Sequence, residues 1–297
     1  MKAPLKVAVG IATAGRRELL TETLRELSRQ ARLPDVVFVC PASEQDVDQA
    51  SAAGLPFPFR IVRGRRGSCS QRNAIIDASQ EFDVLVFFDD DFIPARSYLE
   101  ELELCFKEQP EIVVITGNVI ADGIKGPGLD LAAARVKLLA FGSPCADTPL
   151  TDTYNAYGCN MAVRLAPIHG HSLRFDEDLP LYGWLEDVDL CRRLSAYGRI
   201  VKNWNLIGVH LGNKRGRAAG IPLGYSQIAN PIYLWRKGTL RPDLALGQMG
   251  RNILANLAKL VRPEPWIDRR GRALGNALGF CDLLRGRLDP RRILDFG

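Results

Sequence analysis

The chain of 297 residues carries a formal net charge of +5, and 46% of its residues are hydrophobic. A chain of this length and composition can bury a substantial core, either in one large α/β domain or in a domain with an appendage. No run approaches the roughly 18 uninterrupted apolar residues of a membrane span, which excludes a transmembrane helix. The first residues enter a strand pattern and not a signal-peptide core, so we expect a cytoplasmic protein.

The cysteines predict neither a disulfide framework nor a zinc site. They are scattered without a Cys-x-x-Cys pair, and several lie in apolar segments, where reduced cysteine acts as a small hydrophobic side chain. The seven positions are Cys40, Cys69, Cys105, Cys145, Cys159, Cys191 and Cys281.

The basic residues concentrate towards the end of the chain. Residues 237–297 contain twelve Lys and Arg against six Asp and Glu, a net charge of +6, which leaves −1 for residues 1–236. Such an excess can face nucleic acid, an anionic membrane surface or solvent, and solvent is the default for dispersed charge. We expect no nucleic-acid partner.

The first 116 residues predict an alternation of strands and helices. Strands are expected where apolar residues alternate or run together, at 5–11, 36–40, 59–62, 84–89 and 112–116. Helices are expected between them, at 19–27, 70–78 and 96–106. Five strands that alternate with helices predict an α/β fold, with a mostly parallel twisted sheet flanked by helices on both faces.

The rest of the chain is less regular. Residues 121–156 are rich in Gly, Pro, Asp and Thr around one helical stretch at 131–139, a composition typical of acceptor-binding or lid elements. A helix at 186–197 and strands at 200–203 and 207–210 follow. Helical stretches with basic edges are then expected at 244–261 and 266–285. We place a boundary near Thr239, between a domain of residues 1–238 and a basic amphipathic helical region of residues 239–297.

The most informative segment is Val-Leu-Val-Phe-Phe-Asp-Asp-Asp at 84–91, a buried strand followed at once by three carboxylates. In open α/β sheets, ligands bind just beyond the carboxyl ends of the strands. If the extended conformation continues past Phe88, Asp89 and Asp91 project to one side and Asp90 to the other. Like charges so close favour a bound cation, and a hard divalent ion that bridges to a phosphate fits them.

The turn after the first strand, Gly10–Arg17, resembles phosphate loops but lacks their motifs. Arg16 stands where a Walker loop has its lysine, and Ala12 stands where a dinucleotide fingerprint has its second glycine. A nucleotide can still lie against this turn, with Thr13 as a hydrogen-bonding residue and the helix N-terminus supplying positive potential. A plain strand-to-helix turn explains the segment equally well.

Several arginines precede the acidic strand, and guanidinium groups suit diphosphates because of their fork geometry. We expect Arg63, Arg65 and Arg66 to be surface charges. Arg72, at the start of a helix, is the candidate for a buried role.

An acidic pair, Glu186 and Asp187, opens the helix predicted at 186–197. A helix dipole also favours carboxylates in the first turn, which is the structural alternative. Tyr182 and Trp184 stand next to the pair, and aromatic rings beside carboxylates are typical of sugar-binding clefts. We expect Asp189 to be structural, paired with Arg192 or Arg193.

His210 closes the apolar strand at 207–210 and precedes a Gly-rich basic loop. A lone histidine is usually no more than a polar residue. In this position it can also complete a metal site with Asp91.

Taken together over residues 5–238, these motifs resemble glycosyltransferase family 2, inverting enzymes of the GT-A fold. Six segments carry the resemblance in this order: Ile11-Ala12-Thr13, Arg72-Asn73, Asp89-Asp90-Asp91 with Pro94, Gly158-Cys159-Asn160-Met161-Ala162-Val163-Arg164, Gly183-Trp184-Leu185-Glu186-Asp187-Val188-Asp189, and His210. One departure is that the second strand ends in Cys40-Pro41-Ala42-Ser43, where the family usually has an acidic residue that reads the nucleotide base. A uridine nucleotide therefore does not follow from the resemblance.

The resemblance implies a role for each matching residue. Asp91 and His210 would coordinate Mn²⁺ or Mg²⁺, and Asp89 would contact the metal or the ribose. Asp187, with Glu186 beside it, would be the general base or would hold the acceptor hydroxyl. Asn160 and Met161 would line the floor of the site. The remaining expected contacts are Thr13, Arg72, Asp89 and Asp90 for the nucleotide sugar, and Trp184 and Tyr182 for the acceptor.

We therefore expect a metal-dependent inverting glycosyltransferase. It would move a sugar from a nucleotide-diphosphate sugar to a glycan or lipid-linked glycan in polysaccharide biosynthesis. Two alternatives are a sugar-1-phosphate nucleotidyltransferase and a non-catalytic nucleotide-sugar binding module. The basic helical region could rest peripherally on the inner face of an anionic membrane, and packing on the domain or on a second copy in a homodimer is its alternative.

Overall fold

A computed structural model describes residues 3–52, 54–142, 149–214 and 220–296 of the chain. Its strands are β1 (Val7–Thr13), β2 (Val36–Pro41), β3 (Phe59–Ile61), β4 (Val84–Asp89), β5 (Phe92–Pro94), β6 (Ile112–Asp122), β7 (Thr151–Asp152), β8 (Asn160–Arg164) and β9 (Arg199–His210). Its helices are α1 (Arg17–Leu27), α2 (Gln49–Ala52), α3 (Ser68–Ala78), α4 (Tyr98–Glu108), α5 (Leu131–Phe141), α6 (Leu165–Gly170), α7 (Glu186–Leu194), α8 (Gly220–Lys237), α9 (Pro242–Ala258) and α10 (Arg269–Leu284). Short 3-10 turns cover Glu44–Asp46, Gly123–Lys125 and Pro290–Phe296.

The described strands form one sheet in the order β3-β2-β1-β4-β8-β6-β9-β5, with β7 paired to β9. The block from β3 to β4 is parallel, as the alternation of strands and helices predicts. β8 then lies antiparallel between β4 and β6, and β6 pairs parallel with β9. The α/β fold is confirmed, and its sheet is mixed because β8 enters the centre after the irregular region.

The sheet is buried on both faces, which explains the continuous apolar runs of its central strands. Successive residues point to opposite faces, so Phe38 and Leu85 pack on one side with α3 and α7. Val39 and Val86 pack on the other side with α1 and α4. Both halves of the core lie directly beneath the carboxyl ends of β1 and β4.

Strand β9 replaces the two strands predicted at 200–203 and 207–210. Asn203, Trp204 and Asn205 interrupt the apolar pattern in the sequence, and the pairing with β6 is irregular there: it runs to Lys202 and resumes at Ile207 within the same strand. β6 likewise runs on to Asp122, well past the predicted end at residue 116. The extra length brings the end of β6 next to the end of β9.

Helix α8 was not predicted, because Pro231 lies inside it and an internal proline reads as a helix break. The helix packs closely on α10. A Cβ on Gly275 would lie 2.2 Å from the carbonyl oxygen of Ile221, so only glycine allows this approach.

The boundary predicted near Thr239 falls between α8 and α9. Among the described helices, none combines the length and the apolar character that a membrane crossing demands.

Six cysteines lie in the described part of the chain, and they are free thiols. Cys281 is exposed and the other five are buried. Cys145 lies outside the described residues.

Candidate active site

The carboxyl ends of β1 and β4 lie side by side, since Ala12 pairs in register with Asp89. Thr13 Oγ1 donates a hydrogen bond to Asp90 Oδ2 at 2.6 Å, and Arg16 Nη1 donates to Asp90 Oδ1 at 2.7 Å. Burial raises the pKa of Asp90 to about 6, although the Arg16 charge opposes the rise. Asp90 thus holds the turn after β1 against the end of β4.

Asp89 and Asp91 both lie next to His210, whereas Asp90 is bound by Thr13 and Arg16. β4 ends at Asp89, and Asp90 and Asp91 form a turn before β5. The extended conformation therefore continues only one residue past Phe88 and does not reach Asp91. Arg16 Nη1 bonds to Asp90 and also lies 3.6 Å from Asp91 Oδ2, so the projection of Asp90 to the opposite side stays a prediction. Ligand atoms of Asp89, Asp91 and His210 all lie within 4.8 Å of one another. His210 Nε2 is 3.3 Å from Asp91 Oδ1 and 3.9 Å from Asp89 Oδ2.

His210 is oriented by two groups that the sequence did not single out. Its Nδ1 lies 2.9 Å from Asp122 Oδ1 and 3.3 Å from the hydroxyl of Tyr157, which itself donates to Asp122 Oδ2. Register explains the arrangement, because Asp122 on β6 and Phe92 on β5 both pair with His210 on β9. A carboxylate behind an imidazole fixes its tautomer and directs the other nitrogen forward.

Charge is concentrated and buried at this point. Burial disfavours protonated His210, but the carboxylates of Asp122 and Asp91 outweigh it and raise the pKa of the imidazole to about 10. Burial also acts against ionised Asp91, yet His210, Arg16 and the backbone N–H of Asn213 hold its pKa at about 2.

The donor set fits a divalent cation. Asp91 Oδ1 is buried and accepts no hydrogen bond within the described residues, with His210 Nε2 3.3 Å away, whereas Oδ2 accepts one from Asn213 N at 2.8 Å. An orphaned buried carboxylate oxygen costs free energy unless a cation or a water satisfies it. Two carboxylates and the Nε2 of an oriented imidazole are ligands that such an ion accepts, and binding of the ion would displace the Nε2 proton of His210.

The second acidic pair lies at the start of α7. The backbone before it is tightly turned, with positive φ at Leu181 (58°), Gly183 (65°) and Leu185 (76°). Left-handed backbone at non-glycine residues is strained and concentrates at functional sites. The turn places Glu186 and Asp187 at the same sheet edge as Asp89.

Arg72 links the two acidic groups. Its Nη1 donates to Glu186 Oε1 at 2.5 Å, and its Nη2 donates to Asp89 Oδ1 and to the carbonyl oxygen of Gly158, both at 3.1 Å. The guanidinium also lies over the rings of Phe87 and Phe175. The buried role predicted for Arg72 is therefore confirmed, with its donors directed at protein groups.

Asp187 and Glu186 have different surroundings. Asp187 is half-buried, and its Oδ2 accepts from Gly158 N at 2.9 Å. Glu186 is 8% exposed and is bound to Arg72. Burial raises the pKa of both carboxyl groups, while the Arg72 charge opposes the rise.

Asp189 is structural, as predicted. It is fully buried, and its carboxylate pairs with Arg193 and Lys237 and accepts a hydrogen bond from Thr239 Oγ1.

Asn160 lies at the start of β8, paired in register with Phe88. It is fully buried, and its Oδ1 accepts from Thr116 Oγ1 at 2.8 Å. Its Nδ2 has no hydrogen-bond partner within the described residues. Met161 beside it is also fully buried, so both residues lie beneath the site.

A cavity of about 460 Å³, called here the donor cavity, opens at this edge. Its walls include Thr13, Arg16, Arg66, Arg72, Asp89, Asp90 and Tyr182. Ile293, Leu294 and Phe296 from the last 3-10 turn also line it, a contact that no local sequence pattern predicts. A wider groove of about 970 Å³ lies beyond the end of β2, next to Pro41, Ala42 and Ser43.

No protein-family model matches the chain, and no curated protein matches its sequence. Solved structures do match. The mannosyltransferase PcManGT from Pyrobaculum calidifontis, solved with GDP-Man and Mn²⁺, has a TM-score of 0.56 and 16% identity over 99% of this chain and 86% of its own. GalNAc-T7, solved with UDP, GalNAc and Mn²⁺, has a TM-score of 0.56 and 13% identity over 98% of this chain and 57% of its own.

A third similar structure is S. aureus TarS 1-349 in complex with UDP-GlcNAc, with a TM-score of 0.51 and 14% identity over 77% of this chain and 66% of its own. The chain spans 40% of the length of another TarS structure, with a TM-score of 0.50. In both of these TarS structures it therefore covers less than two thirds of the solved chain. At these identities the likeness establishes architecture. The fold expected from the sequence is confirmed, and this chain has the GT-A glycosyltransferase fold.

Proposed function

We propose that this protein is a metal-dependent inverting glycosyltransferase that moves a sugar from a nucleoside-diphosphate sugar to a hydroxyl group of a glycan. The observation that carries the proposal is one sheet edge with two acidic groups. Asp89, Asp91 and His210 form the first, Glu186 and Asp187 form the second, and Arg72 bonds to both. A site with a cation at one end and a base at the other suits displacement of a diphosphate by a hydroxyl.

The donor would lie in the donor cavity. Similar structures were solved with GDP-Man and Mn²⁺ and with UDP-GlcNAc, which supports a nucleotide sugar as the ligand class. We assign no particular nucleotide base to the donor, because Cys40-Pro41-Ala42-Ser43 offers no acidic side chain at the end of β2. Thr13 and Asp90 would act by holding the turn that borders the diphosphate.

A cation at Asp89, Asp91 and His210 would neutralise the diphosphate as it leaves. We favour Mn²⁺ over Mg²⁺, since Mg²⁺ prefers oxygen ligands and here one ligand is an imidazole. Asp122 and Tyr157 would keep His210 Nε2 directed at the site. Arg72 would keep Asp89 in place through its bond to Oδ1.

Asp187 is the residue that we assign as the general base. It is the more exposed member of its pair, and its two carboxylate oxygens keep lone pairs free after accepting from Gly158 N and Val188 N. Its raised pKa makes it a better proton acceptor than an exposed aspartate. Glu186 is engaged by Arg72 and would position the guanidinium. Attack by the acceptor hydroxyl on the face opposite the diphosphate inverts the anomeric centre without an enzyme nucleophile.

The experiment that tests the proposal is calorimetry of nucleoside diphosphates with and without Mn²⁺, followed by product analysis with the matching nucleotide sugar. We expect one nucleotide to bind more tightly with Mn²⁺ and the donor to release a nucleoside diphosphate. Release of pyrophosphate would instead identify a nucleotidyltransferase. Metal-dependent binding without any turnover would identify a binding module, and no metal-dependent binding would refute the proposal.

We extend the proposal to polysaccharide biosynthesis at the inner face of a membrane, with α9 and α10 as a peripheral contact. These helices and the segment between them expose large apolar side chains: Leu246, Leu254, Leu257, Val261, Leu274, Phe280 and Leu284. Exposed basic residues accompany them, including Arg251, Lys259, Arg262, Arg270 and Arg285. Apolar groups among cations are what an anionic bilayer binds.

Co-sedimentation with phosphatidylglycerol vesicles tests this contact. We expect salt-sensitive binding that the Leu254→Asp and Leu257→Asp substitutions weaken. No binding, together with a concentration-dependent mass in solution, would assign the same surface to a homodimer.

A further inference from the structure

A second cavity, of about 390 Å³, lies between the segment before α7 and the three C-terminal helices; it is called here the helical cavity. Tyr182 lines both this cavity and the donor cavity. Trp184, also in its wall, is three residues before the proposed base Asp187. The helical cavity thus shares Tyr182 with the donor cavity, and part of its wall belongs to the segment that leads into Asp187.

One wall of the helical cavity is a fixed amide. Gln227 on α8 is 5% exposed, and its Oε1 accepts from Asn256 Nδ2 at 2.8 Å and from Asn276 Nδ2 at 3.2 Å. Asn256 Oδ1 in turn accepts from Arg269 Nη1 at 3.1 Å. This network joins α8, α9 and α10 and determines which end of the Gln227 amide faces outwards. Its Nε2 has no partner within the described residues and is left to donate into the cavity.

Each charged residue in the wall already has a partner in the protein. Lys214 Nζ donates to the carbonyl oxygens of Gly123 and Ile124 at 3.1 and 2.7 Å. Asp268 caps α10 by accepting from Gly271 N at 2.8 Å, and Arg272 also has a partner within the protein. The amide of Asn252, by contrast, makes no hydrogen bond to any residue that the structure describes. The polar groups of the wall that have no partner within the described residues are thus neutral amides.

Two tryptophans supply flat apolar surface. Trp266 is 36% exposed at the rim. The backbone of Trp184 is anchored to α8, because Asn230 Nδ2 donates a hydrogen bond to its carbonyl oxygen at 2.7 Å. Aromatic faces pack against the C–H face of a pyranose, while amides pair with its hydroxyl groups. This combination matches an uncharged sugar ring better than a phosphate or a lipid chain.

We propose that the helical cavity binds a neutral sugar residue of the acceptor glycan, one unit away from the residue that receives the transferred sugar. The inference rests on the proposed function, because it treats Asp187 as the neighbouring base. It makes the C-terminal helices part of the acceptor site, and it makes the acceptor at least a disaccharide.

The test uses the full chain and five neutral disaccharides as probes: maltose, cellobiose, lactose, mannobiose and chitobiose. Binding is measured by saturation-transfer NMR and by tryptophan fluorescence, with no donor present. We expect at least one probe to bind, and Trp266→Ala to weaken its binding about tenfold through loss of ring stacking. The matched control is Trp235→Ala, which removes a tryptophan exposed to 44% outside the cavity and should leave probe binding unchanged.

A second variant, Asn252→Ala, tests the cavity independently in case Trp266→Ala does not fold. Thermal unfolding of each variant shows whether it is folded. We expect Asn252→Ala to weaken binding several-fold through loss of a hydrogen bond to a sugar hydroxyl. Failure of all five probes to bind would overturn the inference, as would equal binding by the wild type and both folded variants. Titration of the wild type with nucleoside diphosphate and Mn²⁺ separates the two claims. If nucleotide binds and no disaccharide does, the inference fails while the proposed function stands.

Discussion

The candidate site has a proposed metal end, with Asp89, Asp91 and His210, and a proposed acceptor end, with Glu186 and Asp187, and the two are built in different ways. The metal end depends on strand register, since Asp89, Asp122 and His210 are each placed by pairing with a neighbouring strand. The acceptor end depends on irregular backbone with positive φ at Leu181 and Leu185, and it is supported from outside by α8, α9 and α10.

This difference has a physical basis. Sheet register moves in steps of a whole residue, and one step turns every side chain to the opposite face, so a metal site built on it changes little. Loops and packed helices admit many intermediate arrangements. We infer that leaving-group chemistry lies in the rigid part of the molecule, and that acceptor choice lies in the adaptable part.

The largest effect is expected from Asp91→Asn at the metal end. We expect turnover to fall about 10⁴-fold, because the diphosphate loses the cation that stabilises its departure. The fold should persist, since the amide oxygen can still accept from Asn213 N. Turnover and calorimetric Mn²⁺ binding measure the effect, and Asp243→Asn on the exposed part of α9 is the control. Unaltered Mn²⁺-dependent nucleotide binding would contradict the assignment.

Asp187→Asn should separate the acceptor end from the metal end. We expect kcat to fall about 10³-fold through loss of the general base, with nucleotide binding in the presence of Mn²⁺ retained. Paired measurements of kcat and of nucleotide affinity test this outcome. An unchanged rate would refute the assigned base, and a joint loss of both properties would show that the two ends do not act separately.

A smaller effect is expected behind the metal ligands. Asp122→Asn leaves His210 without the carboxylate that orients it, so we expect Mn²⁺ affinity to fall about 10- to 100-fold. Tyr157→Phe removes only a hydroxyl from the same group and should weaken Mn²⁺ binding less. Mn²⁺ titration followed by electron paramagnetic resonance gives both values. Equal affinities in the wild type and Asp122→Asn would remove Asp122 from the site.

The smallest effect concerns the pH dependence of kcat. Burial raises the pKa of Asp187 above the ordinary value of 3.8, with Arg72 opposing the rise. A base must be deprotonated to act, so kcat should fall as pH decreases through this raised pKa. With donor and Mn²⁺ saturating, the acid limb should lie above the range of an exposed aspartate and should be missing in Asp187→Asn. A limb that persists in the variant would belong to another group.

What the sequence could predict follows the same division. The strand at 84–89 and its three carboxylates were recognisable because burial and charge change abruptly between adjacent residues. His210 could be found because it closes an apolar strand. Asp122 and Tyr157 could not be found, since their contacts with His210 depend on the irregular pairing of β6 with β9.

The C-terminal region shows the other limit. Pro231 prevented the prediction of helix α8, because an internal proline is typical of a helix end. The close contact of Gly275 on α10 with Ile221 on α8 cannot be predicted from either segment alone. The approach of Ile293 to the donor cavity joins residues far apart in the chain. Such contacts are set by packing between distant segments, which local patterns do not encode.

Arg72 has a consequence for how the two ends can be altered. One guanidinium serves both Asp89 and Glu186, so removing either carboxylate leaves the other with a cation that is free to move closer. Free-energy changes at such shared partners are not additive. A double-mutant cycle through Asp89 and Glu186 should therefore give a coupling free energy different from zero. Substitutions that redesign the sugar-accepting side would then also change the cation-holding side through Arg72.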